Sequence, residues 1–352
     1  MFRLSNRLGK QSQLRFYSNT YGHLSARKQS LIAQSGLYPA GFKASGVAAG
    51  IKKNKNSDVA LVVSELPCSA AAVFTTNKFQ AAPVLVSKET LSQNNDKVFA
   101  VVTNSGCANA VTGAQGIADA KKMRSIVDEL TNQSLSALTM STGVIGQNLP
   151  MDKIEAGIRD AYANLSSEHK TGWAKAAEAY MTTDTFPKLR SGEFSLQNTK
   201  FRMAGIAKGA GMIHPNMATL LGFMVTDAYV KPDLLQKALK YAVDRSFNSI
   251  SIDGDMSTND TISVLANGAS NVRIESEGSD FEAFRDHLTQ FAAELAQLVV
   301  RDGEGATKFV TLHIKVQFNI YLQYHAHLSF SRELKLLKVP RRLLPISRLL
   351  CW

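Results

Sequence analysis

Between Lys208 and Asn216 the chain makes a glycine-punctuated polar turn, and from Met217 to Val225 it runs on without a break into apolar residues. That junction restricts the fold. Leu221 to Val225 is a continuous apolar run of strand length, which calls for a strand covered on both faces. The turn before it has to keep backbone and polar side chains within reach of solvent or a ligand. Thr219 stands where the two meet. A β-branched residue suits a buried strand, with its hydroxyl bonded to backbone. The same hydroxyl becomes a nucleophile if the chain is cut in front of it. The free α-amine, with a pKa near 8, can then take the hydroxyl proton without help from a histidine or a metal. The junction alone leaves both readings open.

The rest of the chain alternates strand and helix patterns. Val59–Val63 and Val98–Val102 are further apolar runs of strand length. Ala70–Phe74 and Pro83–Val86 are weaker strand candidates, and Thr103–Ala110 reads as a small polar loop. Ala137–Ser141 is a short strand that ends in Thr142-Gly143-Val144-Ile145-Gly146. Lys200–Ala207 is a strand feeding the Lys208 turn. Helical spacing of apolar residues predicts helices over Asp119–Leu130, Met151–Asn164, Ala174–Met181, Pro232–Phe247 and Ser279–Val300. In the last of these, Ser279 and Glu282 read as a capping box. Ile250–Thr261 is a polar loop. Its Asp253, Asp255 and Asp260 lack the terminal glutamate of an EF-hand, so it is not read as a metal site.

Length and composition narrow the class. The 352 residues suffice for one large or two ordinary domains. The apolar runs are shorter than a membrane span needs. Three cysteines, Cys68, Cys107 and Cys351, make no disulfide framework. The formal charge of +11 invites a nucleic-acid reading. Its distribution argues against one, because residues 1–57 hold ten Lys/Arg and no acid, and residues 312–352 hold seven against Glu333. The body between them is mildly acidic. Residues 1–20, basic, hydroxylated and free of acids, have the composition of a mitochondrial transit peptide, and Arg15-Phe16-Tyr17-Ser18 resembles a matrix-peptidase site cut after Tyr17. Residues 312–352 change character and are expected to be foreign to the fold.

Four motifs in order carry a resemblance over Gly41–Thr311: Thr142–Gly146, Thr182-Thr183-Asp184-Thr185-Phe186-Pro187-Lys188, Lys208–Leu221 and Asp302–Lys308. Together they resemble the ornithine acetyltransferase (ArgJ) family. The resemblance implies an α/β fold of the ArgJ/DmpA-like N-terminal-nucleophile kind, with helices packed on sheets. It implies self-cleavage between Ala218 and Thr219, and an α fragment (21–218) intertwined with a β fragment whose family-like part is 219–311. In that family Thr219 is the acyl-carrying nucleophile, and Thr142 (hydroxyl) and Gly143 (N–H) form the oxyanion hole. Thr182, Lys208, Thr219 and Glu304 bind substrate, Thr182 being favoured over Thr183 and Thr185. His214 is read as structural. The implied reaction moves acetyl from N-acetylornithine to glutamate, with acetyl-CoA as a further donor and no resident cofactor or metal. It belongs to arginine biosynthesis in the mitochondrial matrix, carried out by a dimer of heterodimers without nucleic-acid or membrane partners. Family members continue beyond Thr311 and draw an asparagine and a Ser/Thr from that region, for which 312–352 has no matching motif. Two other readings remain: an N-terminal-nucleophile aminopeptidase or amidase with water as acceptor, and an inactive homologue with a binding role.

Overall fold

The computed structural model describes residues 21–214, 220–318, 324–330 and 349–351. After a short helix α1 (Ala26–Gln29), β1 (Phe42–Val47) and β2 (Val59–Phe74) lead into α2 (Ala82–Asn94), β3 (Val98–Cys107), α3 (Gly113–Thr131), β4 (Ala137–Val144), α4 (Met151–Ala163) and α5 (Ala174–Tyr180). Then come β5 (Lys188–Leu196), β6 (Thr199–Lys208), β7 (Leu221–Thr226), β8 (Tyr229–Val230), α6 (Pro232–Asp244), β9 (Ile250–Ser251), β10 (Thr261–Ala266), β11 (Arg273–Ile274) and α7 (Ser279–Arg301). β12 (Phe309–Phe318), β13 (Tyr324–Phe330) and β14 (Leu349–Cys351) close the described chain. Within it, no helix is long and apolar enough to cross a membrane.

The main sheet has the order β4-β3-β2-β10-β7-β6-β5, with β1 also paired to β2. β3–β4 and β10–β7 are parallel and the other pairs antiparallel. β2 is the hub: its first half pairs with β1 and β3 and its second half with β10. The two pieces read from sequence are therefore one strand. The register slips between Val63 and Cys68, around Pro67, whose missing N–H is tolerated at such an irregularity.

Side chains alternate between the two faces of the sheet, as strand geometry requires. Ala204, Ile206, Phe223 and Val225 face the layer of α5, with Trp173 and Tyr180. Phe201, Met203, Met224 and Val264 face α6 and α7, where Leu235, Leu239, Phe284 and Leu295 meet them. Val59, Leu61, Ala100 and Val102 are covered by Met123, Ile126, Ile154 and Ile158 of α3 and α4. Burial on both faces accounts for the uninterrupted apolar runs. The α/β class expected from the sequence is what the chain adopts.

Four local readings are corrected. Pro83–Val86 is not a strand. It lies in the first turn of α2, where proline needs no N–H partner and Val84 and Val86 are buried. Thr103–Cys107 continues β3 instead of looping, because Thr103 and Ser105 find buried partners in the Tyr180 hydroxyl and the Ala179 carbonyl. Ser279 does not cap α7, since it is already helical. Gly278, at φ 145°, is the N-cap and no side-chain cap bond forms. Thr261 ends no loop but opens β10, fully buried between β2 and β7. β12 pairs with β14 through Phe309–Thr311 and with β13 from Leu312 onward, and β14 pairs with β9. The transit-peptide residues 1–20 lie outside the described residues, as do 331–348 of the tail.

Candidate active site

The ends of β4 and β6 and the turn before β5 converge. Lys208, the last residue of β6, donates from Nζ to Thr142 Oγ1 (3.1 Å) and to Thr182 Oγ1 (3.2 Å). Burial pushes the Lys208 ammonium down from its ordinary value. The charges of Asp184, Asp260 and Glu304 oppose this, while Lys188 adds to it. Thr142 is buried at the end of β4, and its neighbour Gly143 has φ 126°. A Cβ on Gly143 would sit 2.3 Å from the carbonyl carbon of Gly106 on β3. Only glycine fits both the backbone angle and the close approach of the two strands.

Buried polar bonds hold this turn. Ser141 Oγ donates to Asn104 Oδ1 (2.6 Å), and Asn259 Nδ2 donates to the carbonyls of Ser141 (2.9 Å) and Ala108 (2.6 Å). Asp184 ties the Thr182 turn to the Lys208 turn. Its Oδ2 accepts from Thr182 N (2.9 Å), and its Oδ1 accepts from Gly209 N (2.8 Å) and Lys188 Nζ (2.5 Å). Burial alone would raise the Asp184 carboxyl, but the charges of Lys188 and Lys208 and its hydrogen bonds hold it well below the usual carboxylate range.

The three threonines of this motif differ. The Thr182 hydroxyl meets Lys208, whereas Thr183 is exposed. Thr185 is committed to Asp302 through its amide (2.8 Å) and its hydroxyl. Asp302 also takes Lys188 Nζ (2.7 Å) and Lys28 Nζ (2.8 Å). Two residues on, Glu304 is exposed. Its amide donates to the Ala210 carbonyl (2.7 Å), and a Cβ on Gly211 would lie 3.0 Å from its carboxyl carbon. Thr142, Gly143, Thr182, Lys208 and Glu304 thus share one neighbourhood. Ala218 and Thr219 lie outside the described residues, which stop at His214 and resume at Leu220.

Sequence reasoning missed the loop 252–260. Asp253 accepts from the amides of Met212 (2.5 Å) and Ile213 (2.9 Å), and Asp260 accepts from the amide of Leu220 (2.6 Å). The acidic spacing that evoked calcium serves backbone amides on either side of the Thr219 phrase. Among the described residues no group of three or more His, Cys, Asp or Glu is placed to hold a metal ion. Cys68 and Cys107 are buried, and burial pushes the Cys68 thiol up to about 12. The signal that could have flagged the loop is Asn259-Asp260 directly before a mostly apolar strand that is buried throughout, where buried polar side chains need partners.

The sequence profile of the ArgJ family matches residues 43–319. The chain belongs to the ArgJ family. It is 52% identical over 318 residues to "Arginine biosynthesis bifunctional protein ArgJ, mitochondrial" of Chaetomium globosum, covering 88% of this chain and 67% of that one. The protein of the same description from Aspergillus clavatus is 58% identical over 299 residues, covering 82% and 66%. The chain therefore spans about two thirds of the length of the curated family members it matches. These members are mitochondrial by name, and this chain is a mitochondrial member of the family. Among solved structures it is similar to an ornithine acetyltransferase of Mycobacterium tuberculosis complexed with ornithine: 37% identity, TM-score 0.44, 53% of this chain and 96% of that chain.

Proposed function

We propose that this family member cuts itself between Ala218 and Thr219 and then moves acetyl from N-acetylornithine to glutamate, in the arginine-biosynthesis branch of the mitochondrial matrix. The observation that carries the reading is the bond of Lys208 to two threonine hydroxyls at once. An ammonium only donates, so each hydroxyl accepts there and keeps its own proton for another partner. The Thr142 proton and the Gly143 N–H are then the two donors for an oxyanion. Lys208 adds positive charge behind them, and Glu304 supplies the negative charge that ornithine's side-chain amine calls for.

In this route the Thr219 Oγ bonds to the acetyl carbon while the new α-amine takes its proton. The amine returns that proton to the departing ornithine nitrogen as the C–N bond breaks. The amine of glutamate then attacks the acetyl-Thr219 ester, the bond from the acetyl carbon to Oγ breaks, the proton lost by the glutamate nitrogen passes through the α-amine to Oγ, and N-acetylglutamate leaves. Acetyl-CoA serves as a second donor to the same hydroxyl, and no resident cofactor or metal enters. The α fragment ending at Ala218 and the β fragment starting at Thr219 stay intertwined, and two such pairs form the dimer of heterodimers.

The test is N-terminal sequencing of the expressed chain together with an acetyl-transfer assay. A fragment beginning at Thr219, and N-acetylglutamate formed only when glutamate is supplied, are the expected results. Acetate released as the main product without glutamate would overturn the reading in favour of a hydrolase. Two variants probe the hole itself. Gly143→Ala keeps the N–H, but its Cβ would sit 2.3 Å from the Gly106 carbonyl carbon and force the turn to shift, so the donor is expected to be misplaced and kcat to fall by up to about 10²–10³-fold, the usual effect of losing one oxyanion donor. Lys208→Met removes one charged donor, worth about 1.5–3 kcal/mol, and is expected to lower kcat/KM for N-acetylornithine by about 10- to 100-fold. Steady-state kinetics on both, with the gel pattern as a check of cleavage, decide the point.

A further inference from the structure

Two amino acids of opposite side-chain charge pass through one site in the proposed reaction. Ornithine ends in an ammonium and glutamate in a carboxylate. Glu304 suits the first and would repel the second, so glutamate needs a cation of its own there. The lysines met so far are already engaged. Lys188 and Lys28 are neutralised by Asp184 and Asp302, and Lys208 is held by two threonine hydroxyls. Lys52 differs from them. Its Nζ donates to the Ser57 carbonyl (2.7 Å), which leaves two of the three N–H donors of an ammonium, and among the described residues it forms no ion pair with a carboxylate.

The fold puts Lys52 beside the Gly143 turn. Gly106 on β3 pairs with Gly143 on β4, and a Cβ on Gly106 would lie 3.0 Å from Ile51 Cγ2 and 3.2 Å from Lys52 Cγ. The half-buried Lys52 stem therefore lies against the strand that carries this turn. Its own loop is pinned. Buried Asp58 accepts from the amides of Ala49 (2.6 Å), Ile51 (2.6 Å) and Lys52 (3.0 Å), and Lys153 Nζ donates to the Gly50 carbonyl (2.9 Å). Asp58 is the nearby negative charge, but its oxygens are committed to those amides. Burial pushes the Lys52 ammonium down to about 8; the charges of Asp58 and Asp184 oppose this and that of Lys208 adds to it. An ammonium so placed gains from an anion alongside.

We propose that Lys52 is a specificity-determining residue that pairs with the side-chain carboxylate of the acceptor glutamate. The proposal rests on the acetyltransferase reading above. Glu304 and Lys52 then divide the two amino acids between them, Glu304 holding the side-chain ammonium of ornithine and Lys52 the side-chain carboxylate of glutamate. The acetyl-accepting nitrogen is common to both, so the same Thr219 ester serves either one.

Lys52→Met keeps an apolar stem against Gly106 and removes the charge. Acetyl exchange between N-acetylornithine and labelled ornithine needs no glutamate, so it reports folding, cleavage and the nucleophile on their own. In Lys52→Met this exchange is expected to stay within about threefold of the parent, while kcat/KM for glutamate as acceptor falls by about 10- to 100-fold. Glutamine carries no side-chain charge and is expected to be unaffected, so the preference for glutamate over glutamine narrows by the same factor. Lys52→Arg keeps the charge and is expected to keep the preference. Exchange and transfer falling together in a folded chain would overturn the proposal, because Lys52 would then serve the α-carboxylate that both amino acids carry. Transfer to glutamate within about threefold of the parent would overturn it too. If Lys52→Met does not fold, Lys52→Gln is put through the same assays and decides by the same ratios. Failure of the acetyltransferase reading shows separately, as a parent chain that exchanges no acetyl with ornithine. In that case the proposal falls with it, whereas an active parent with an indifferent variant removes the proposal alone.

Discussion

Thr219→Ala stays a single full-length chain on a denaturing gel and transfers no acetyl. Both outcomes follow from one atom. In the proposed route the hydroxyl attacks the Ala218 carbonyl to start cleavage and afterwards attacks the acetyl carbonyl, so its removal is expected to end both reactions. Without cleavage there is no α-amine either, and nucleophile and base vanish together. Losing a nucleophile in comparable hydrolases costs about 10⁶-fold in kcat. Thr219→Ser is the control: it keeps a hydroxyl, is cut more slowly and retains part of the activity. Cleavage before residue 219 in Thr219→Ala, read by intact mass, would remove the hydroxyl from the mechanism.

Lys188→Met is the largest expected effect on stability. Lys188 opens β5 with 1% exposure, and its ammonium lies 2.5 Å from Asp184 and 2.7 Å from Asp302. Asp302 retains Lys28 when Lys188 is removed, but Asp184 keeps backbone amides and the more distant charges of Lys208 and Lys52. Removing one member of a buried ion pair typically costs about 3–5 kcal/mol, because the other charge stays uncompensated. Against the 5–15 kcal/mol typical of a whole domain, that brings the chain near unfolding. A lower urea midpoint at unchanged slope is the expected reading, and a loss below about 1 kcal/mol would show that Asp184 does not need its partner. Acid acts in the same direction. The folded-state carboxyl of Asp184 is held below its unfolded value. Its stabilisation is thus complete above about pH 4 and is lost as pH falls further, towards its folded value. Because Asp184 also holds the amides of Thr182 and Gly209, activity is expected to fall with stability.

Which parts of this were legible in the sequence follows from how local each cause is. The α7 stripe of Phe284, Leu288, Phe291 and Leu295 repeats at helical spacing and is buried as read. The apolar runs in β2, β3 and β7 are strands covered on both faces. Pro83 was misread because a proline among valines suits a weak strand or a first helical turn equally well, and only the packing of α2 chooses. Lys188 and Asp260 were passed over because charged residues are ordinarily exposed. Their burial is decided by partners far along the chain: Asp302 lies 114 residues from Lys188, and Leu220 lies 40 from Asp260.

The sequence by itself determined the family, the helices α3 to α7 and the apolar strand runs of β2, β3 and β7, since each is written in consecutive residues or in short periodicities. Tertiary structure alone decided that Lys208 meets Thr142, 66 residues away, and Thr182, 26 away. It also decided that Thr182 and not Thr185 faces that meeting point, and that one acidic loop braces both flanks of the segment around Thr219. The physical reason is common to all three. A hydrogen bond forms where strand ends converge, and convergence depends on pairing order in the sheet, which no local pattern of residues encodes.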